Sequence, residues 1–223
     1  PKALYGRTRS GFDWGNKLKA TLETLGFHRA SALNGLFLRK DKHGQVTGVI
    51  ACYVDDCVIC LPEGEAEEFF TRLQSMVNIK KALDGSPGWK KANRFIGIDF
   101  EKLNEVHKEN RKYRTIVVSM DQYIVHMLNR FEEQFGTLKP AKRLPDIPPP
   151  ASQRSDLGHQ FRGPIACALW LSRGLRADLS SSVRQFATCV EFWTDEHTKA
   201  MKQFYGALKT ETPKGMHMTF AIN

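Results

Sequence analysis

Residues 46–60 read VTGVIACYVDDCVIC and decide how the first half of this chain is interpreted. Two apolar runs, IACYV and CVICL, flank the adjacent acids Asp55 and Asp56. Apolar runs of this length on either side of a short polar pair predict a β-hairpin with the acids at its turn. Runs that are apolar at every position are typical of strands covered on both faces, so helices are expected to pack against this sheet.

The two acids of this hairpin have two interpretations. Adjacent carboxylates repel each other, and apolar neighbours make their charge more costly. Two bound Mg²⁺ ions would offset that cost, and two-metal phosphoryl transfer needs carboxylates that hold ions roughly 3.5–4 Å apart. Alternatively, Asp55 and Asp56 are a plain polar turn, since Asp is common in hairpin turns. The four letters YVDD do not decide between these interpretations by themselves.

The surrounding segments predict a mixed α/β region. Apolar spacing predicts a helix over 14–25 that ends at Gly26, and GLFL predicts a strand that pairs with VTGVIACYV. A second helix is expected over 63–77, and FIGIDF and TIVVSM are expected to be strands. Ser119 and Gln122 match a capping box that would start a helix whose apolar face runs from Met120 to Phe135.

The later part of the chain has a different composition. Five of the chain's ten prolines fall between 140 and 150, so this stretch is a linker or a long extended connection. Helices are predicted at about 157–172, 179–192 and 196–209, and GMHMTF near the end predicts a strand. The expected fold class is therefore α+β.

Composition limits the class of protein. The chain has 223 residues and a formal net charge of +9, which favours an acidic or phosphate-bearing partner. No apolar run is long enough for a membrane span, and the start has no apolar signal core, so secretion is not expected. Five cysteines, an odd number, do not indicate a disulfide framework. Buried thiols are favoured over a structural zinc site built on Cys52, Cys57 and Cys60.

Several motifs occur together and in one order, which is more specific than YVDD alone. They are ALYGRTRSGFDWGNKL at 3–18, the stretch 25–60 that ends in the hairpin, NRFIGIDFE at 93–101, IVVSMDQYIVHML at 116–128, FRGPIACALWLSRGLRADLSSSV at 161–183 and HTKAMKQFYGALKTET at 197–212. In this order the chain resembles the reverse transcriptase of copia-type LTR retrotransposons.

This resemblance implies a right-hand polymerase architecture. Residues 1–118 would form a partial palm, an antiparallel sheet with helices that carries the YVDD hairpin and a primer-grip-like hairpin. Residues 119–212 would form a helical, thumb-like bundle with the Pro-rich linker at 138–155. Residues 213–223 would begin a connection toward an RNase H domain.

The resemblance also implies an activity and its metal. The family is an RNA-directed DNA polymerase, a nucleotidyltransferase that uses two Mg²⁺ ions, with Mn²⁺ as an alternative ion. Asp55 and Asp56 would be two of its three metal-binding carboxylates. Tyr53 and Val54 would lie near the primer terminus and the template–primer backbone.

Further residues are assigned by the resemblance alone. Phe95, Ile96 and Gly97 would belong to the primer grip. Arg9 and Lys80 would lie near the incoming nucleotide. The partners implied are an RNA template, a DNA primer, dNTPs, and the RNase H and integrase domains of the same polyprotein. The family's location would be a cytoplasmic virus-like particle.

Three departures from the family pattern matter. The third carboxylate lies on a strand upstream of Leu-Tyr-Gly, and the chain starts almost at that motif, so we expect the fragment alone to be inactive. The family's Leu-Lys-Gln is replaced here by Arg7-Thr8-Arg9, and its Pro-Arg is replaced by Gly11-Phe12. These departures motivate an alternative, an inactive retroelement remnant that only binds nucleic acid.

Basic residues are concentrated in two segments that the resemblance places around the nucleic-acid cleft. Residues 1–42 carry nine Lys or Arg and three acids, and residues 80–114 carry ten and five. Backbone phosphates are the expected partner of such charge. Ordinary solvated Lys and Arg side chains remain the alternative.

Overall fold

The structure is a computed structural model that describes residues 9–62, 64–79, 88–108, 111–211 and 216–222, with backbone only at 102–108, 111–115 and 216–222. The chain divides into two compact units, residues 1–96 and 97–223. Along the described residues, no helix combines the length and the apolar character that crossing a bilayer requires.

The first unit is built on a four-stranded antiparallel sheet. Its strands follow the chain in the order β1 (His28–Arg29), β2 (Leu36–Lys40), β3 (Val46–Tyr53) and β4 (Asp56–Cys60). The predicted hairpin is confirmed, but its turn is one residue earlier than predicted. Tyr53 and Asp56 are paired across the strands, so the turn residues are Val54 and Asp55, and Asp56 begins β4.

Two helices cover this sheet. They are α1 (Ser10–Thr24) and α2 (Ala66–Met76), which are shifted at their ends from the predicted 14–25 and 63–77. Gly26 ends α1 as predicted. It has a φ of 85°, its N–H donates to Glu23 O, and the N–H of Phe27 donates to Leu22 O, which is a Schellman pattern.

The core of the first unit lies between the helices and the sheet. Its buried side chains come from α1, the strands and α2, and they are Leu22, Leu25, Phe27, Phe37, Ile50, Phe69, Leu73 and Val77. Phe37 and Ile50 are partners across β2 and β3, and Phe27 packs edge-on against Phe69 with ring centroids 5.6 Å apart. Strand alternation therefore places Ile50 and Cys52 on the helix-covered face of β3.

FIGIDF does not form the single strand that the sequence predicted. A short strand β5 (Arg94–Phe95) ends before Ile96 and Gly97, whose φ angles are 46° and 85°. Strand β6 (Ile98–Lys108) begins after them. An isoleucine in left-handed backbone is uncommon because its β-branch crowds the carbonyl, so an apolar pattern could not reveal this turn.

The second unit combines strands with helices. Strand β7 (Arg111–Ser119) pairs antiparallel with β6 on one side and with β8 (Met216–Ile222) on the other, so the strand predicted at GMHMTF is confirmed. Helix α3 (Asp121–Phe135) follows β7. The predicted capping box is wrong, because Ser119 is the last residue of β7 and the N-cap, Met120, makes no side-chain capping bond.

The three later helices are confirmed with altered limits. They are α4 (Arg162–Gly174), α5 (Ser180–Cys189) and α6 (Asp195–Glu211), with short 3-10 helices at Asp156–Phe161 and Ala177–Leu179. Aromatic rings fill the core between them. Phe161 is fully buried and stacks on both Phe135 and Trp193, with ring centroids 4.6 and 4.7 Å apart.

The Pro-rich stretch runs as an extended connection along the helices of the second unit. The backbone N–H groups of Ala141 and Ala151 donate to Gly206 O and Phe192 O, both at 3.1 Å. The buried His197 accepts from the Thr194 N–H at Nδ1, so its Nε2–H donates to Pro148 O at 3.1 Å. These bonds fix the connection to its own unit.

The α+β class with antiparallel sheets is confirmed. The assignment of residues 1–118 to a palm and 119–212 to a thumb stays a prediction.

Candidate active site

The YVDD hairpin has a two-residue turn with one unusual backbone angle. Val54 has a φ of 57°, whereas Asp55 does not have a positive φ. A positive φ at the first turn residue alone is the pattern of a type II′ turn, which normally places Gly there. A β-branched residue in that conformation costs about 1–3 kcal/mol and persists only where neighbouring groups hold it.

One of those neighbouring groups is an indole on α1. Trp14 Nε1 donates a hydrogen bond to Val54 O at 2.7 Å, across forty positions of sequence. Sequence reasoning did not identify Trp14 as a residue that contacts the hairpin. A Trp on the first helix carries no pattern that reveals a distant carbonyl partner, so only the three-dimensional arrangement shows it.

A glycine supports the hairpin from the other side. Gly35 O accepts the Cys52 N–H at 2.7 Å, and a Cβ at Gly35 would overlap the carbonyl oxygen of Cys52. Only a residue without a side chain fits this close approach. The strand that leads into the turn is therefore fixed two residues before Val54.

The two carboxylates lie at the exposed tip that these contacts hold. Asp55 is in the turn and Asp56 is the first residue of β4, and both are exposed. Carboxylate oxygens are the donors that Mg²⁺ prefers. Among the residues described, no group of three or more His, Cys, Asp and Glu side chains is arranged to hold a metal ion. The hairpin thus offers part of a donor set of the right chemistry.

The cysteines beside the turn do not form the three-ligand zinc site considered from the sequence. Cys57 pairs with Cys52 across β3 and β4, whereas Cys60 pairs with Val49. Because alternate strand residues face opposite sides, Cys60 lies on the other face of the sheet from Cys57. The three thiols therefore do not converge on one ion.

The two paired thiols alter each other's titration. The Cys57 thiol donates to Cys52 Sγ at 3.0 Å. This hydrogen bond is the main reason why the pKa of Cys52 is lowered. The same hydrogen bond raises the pKa of Cys57. Burial and the nearby charges of Cys52, Asp56 and Asp55 raise the pKa of Cys57 further.

One known protein family matches the part of the chain that contains this hairpin. The family described as "Reverse transcriptase (RNA-dependent DNA polymerase)" matches residues 1–133, which include the hairpin, α1 and α2. The chain belongs to this reverse transcriptase family. The matched family is the copia/Ty1 type. No solved structure matches the chain.

Within the reverse transcriptase match, the predicted primer-grip residues lie at and after β5. Phe95 is half-buried on β5, a strand that contacts β4 of the YVDD hairpin. Ile96 is the second β-branched residue with a positive φ. A Cβ at Gly97 would meet Trp170 Nε1 at 3.5 Å, an ordinary contact. The structure therefore brings the strand of Phe95 beside the hairpin, and the role of all three residues stays a prediction.

Of the two predicted nucleotide-binding residues, the structure describes Arg9 but not Lys80. Arg9 precedes α1, its side chain is 83% exposed, and its Nε lies 3.3 Å from Asp13 Oδ1. Asp13 is on α1 and pairs with this arginine. Lys80, together with Arg7 and Thr8, lies outside the described residues.

The segment Arg176-Ala177-Asp178 lies in the second unit, beyond residues 1–133 that the family matches. Arg176 Nη2 is 2.7 Å from both Asp178 Oδ2 and Glu211 Oε2. The hydrogen bond from Arg176 lowers the pKa of Asp178, and the same bond, with that to Glu211, raises the pKa of Arg176. This segment ties the turn after α4 to the end of α6.

Proposed function

We propose that the chain is the catalytic hairpin region of an RNA-directed DNA polymerase from a copia-type retrotransposon polyprotein. The observation that carries the proposal is the exposed Asp55–Asp56 pair at the tip of a strained hairpin, inside the range matched by the reverse transcriptase family. Strained backbone that neighbouring contacts hold is typical of functional sites.

The proposed chemistry is nucleotidyl transfer from a dNTP to a primer 3′-hydroxyl. Asp55 and Asp56 are proposed to hold two Mg²⁺ ions together with a carboxylate that is not among the described groups. When bound, the ions would supply electrostatic stabilisation of the attacking and leaving oxygens. The chain's own contribution is to place both carboxylates at the tip of one hairpin.

The residues beside the acids would contact nucleic acid. Tyr53 and Val54 are 53% and 66% exposed, which leaves their apolar surfaces available to a primer terminus. Phe95, Ile96 and Gly97 are proposed to contact the primer strand. In this assignment the hairpin belongs to a palm and the later helices to a thumb. The polyprotein would also supply RNase H and integrase domains and assemble in cytoplasmic particles.

Primer extension on an RNA template tests the polymerase function. The assay uses the longest natural polypeptide that contains these residues. It compares the wild type with the variants Asp55→Asn and Asp56→Asn. Asp156→Asn is the matched control, since that side chain is 98% exposed in the second unit. The proposal expects Mg²⁺-dependent synthesis by wild type and control, and its loss in both hairpin variants.

A second candidate function is nucleic-acid binding without synthesis. It is favoured by one observation, that no third ligating side chain joins Asp55 and Asp56 among the described residues. The basic segments 1–42 and 80–114 would then contact backbone phosphates. Each phosphate neutralised adds about 0.9 to the slope of log affinity against log salt.

Binding and synthesis measured on the same preparation distinguish the two functions. Anisotropy titrations of a labelled RNA–DNA duplex at several salt concentrations measure the affinity for nucleic acid and its dependence on salt. A steep salt slope without Mg²⁺-dependent extension supports the binding function. Extension that requires Asp55 supports the polymerase.

A further inference from the structure

Two thiols face each other directly beside the catalytic turn. Cys52 and Cys57 are cross-strand partners of β3 and β4, one pair before the Tyr53–Asp56 pair that closes the turn. Their sulfur atoms are 3.0 Å apart. Neither thiol takes part in the chemistry proposed for Asp55 and Asp56.

The geometry of this pair suits a covalent bond. Residues directly opposite on antiparallel strands have Cα atoms roughly 4.5–5.5 Å apart. A disulfide accepts Cα separations of roughly 4.4–6.8 Å and has sulfur atoms about 2 Å apart. The two sulfurs therefore need to approach by about 1 Å, without a change of strand register.

Cys57 is accessible to solvent, and of the two other cysteines of the hairpin only Cys52 lies beside it. Cys57 is exposed and Cys52 is half-buried against the core of the first unit. Cys60, the other exposed cysteine of the hairpin, is paired with Val49 and lies on the opposite face. A small oxidant can reach Cys57, and Cys52 is the thiol in contact with it.

We propose that Cys52 and Cys57 are an oxidation site, which small-molecule disulfides such as oxidised glutathione convert into a cross-strand disulfide beside Asp55 and Asp56. The effect on polymerisation rests on the proposed function above. The formation of the bond does not.

The reaction balances as two thiol–disulfide exchanges. One protein thiolate attacks the small disulfide, forms a mixed disulfide and releases one small thiolate. The second protein thiolate attacks the protein sulfur of that mixed disulfide and releases the other small thiolate. The two cysteines lose two protons and two electrons in total, and the small disulfide is reduced to two thiols.

The bond is expected to slow synthesis. Cys57 directly follows Asp56, so the bond constrains the backbone that positions a proposed metal-binding carboxylate. A displacement of about 1 Å in a catalytic group costs on the order of 10²-fold in rate. The expected decrease in extension rate is at least ~10-fold, and it is reversed by dithiothreitol.

The experiment incubates the native chain with oxidised glutathione, blocks free thiols with an alkylating agent and maps the products by mass spectrometry. Wild type and Cys60→Ser are expected to lose two hydrogen atoms in a linked 52–57 peptide. Cys52→Ser and Cys57→Ser are expected to stop at a mixed disulfide. Cys60 serves as the matched exposed thiol on the same strand.

Different results overturn different parts of this proposal. Absence of the 52–57 linkage in wild type, or linkage to Cys60, overturns the oxidation site. Complete linkage with an unchanged extension rate overturns the regulatory effect. Linkage in a polypeptide whose reduced form never extends a primer contradicts the proposed polymerase function and leaves the oxidation site intact.

Discussion

The indole Nε1 of Trp14 donates a 2.7 Å hydrogen bond to the carbonyl oxygen of Val54, and this bond connects the first helix to the turn of the YVDD hairpin. The turn residue has a positive φ that its β-branched side chain disfavours. The bond therefore holds the turn next to Asp55 against a helix forty residues earlier in the chain.

Trp14→Phe removes the hydrogen bond and keeps an aromatic ring. A typical hydrogen bond contributes about 0.5–1.5 kcal/mol, so the free energy of unfolding should fall by about 1 kcal/mol. The rate of primer extension should fall further than duplex affinity does, since the bond positions the turn and does not itself contact nucleic acid.

Trp89→Phe is the matched control for this change. Trp89 stacks on Phe70 with ring centroids 4.3 Å apart and belongs to the same unit. Its replacement should leave the extension rate close to that of wild type. Equal rates for Trp14→Phe and wild type would contradict a positioning role for Trp14.

Val54→Gly should release strain at the turn. The side chain is 66% exposed, so little packing is lost, and glycine adopts a φ of 57° without penalty. We expect the free energy of unfolding to rise by about 1 kcal/mol in urea titrations, after the entropy cost of glycine.

Val46→Gly provides the comparison for Val54. Val46 is 52% exposed, is the first residue of β3 and does not have a positive φ. Its replacement should cost about 0.5–1 kcal/mol. If both variants lose the same stability, the backbone of Val54 is not strained.

Gly35→Ala should destabilise the hairpin. The added Cβ would overlap the carbonyl oxygen of Cys52. That oxygen is a backbone atom and the backbone also fixes the position of the Cβ, so neither atom can rotate away. Overpacking of this kind costs about 1–3 kcal/mol. Gly15→Ala is the control, since that position is inside α1 with open space around it, and it should gain up to ~1 kcal/mol. A Gly35→Ala protein as stable as wild type would argue against the close approach.

The second unit should lose stability in acid through Asp178. Arg176 lowers the pKa of this carboxyl in the folded state, so the folded state binds its proton less readily than the unfolded state does. The stabilising contribution is complete above the ordinary Asp pKa of 3.8 and is lost as the pH falls through the lower folded value.

Urea titrations of wild type and Asp178→Asn from about pH 2 to about pH 6 measure this contribution. The difference in unfolding free energy between the two proteins should shrink toward the acid end. If the difference in unfolding free energy stays constant with pH, the lowered pKa of Asp178 does not contribute to the stability of the folded state.

Much of the fold follows from local pattern. The 3.6-residue apolar spacing located every described helix of more than eight residues to within a few positions, and Gly26 was identified because a helix end needs a residue that tolerates a positive φ. The YVDD hairpin followed from two apolar runs around polar residues. These patterns depend only on residues that are close in sequence, so they can be interpreted without knowledge of the tertiary structure.

The details of the site did not follow in the same way. Two adjacent acids do not reveal which of them enters the strand, so the turn was placed one residue late. Ile96 has strong β propensity, yet its φ is 46°. The Cys52–Cys57 pair is found only by counting residues outward from the turn that the structure shows, whereas the sequence interpretation considered Cys52, Cys57 and Cys60 together.

Primer extension by the natural polypeptide, with Asp55→Asn beside the Asp156→Asn control, tests the central claim most directly. Loss of several kcal/mol of charge stabilisation predicts that Asp55→Asn slows Mg²⁺-dependent synthesis by at least ~10²-fold, while the control matches wild type. Equal synthesis by wild type and Asp55→Asn would contradict the claim that the YVDD hairpin is the catalytic centre.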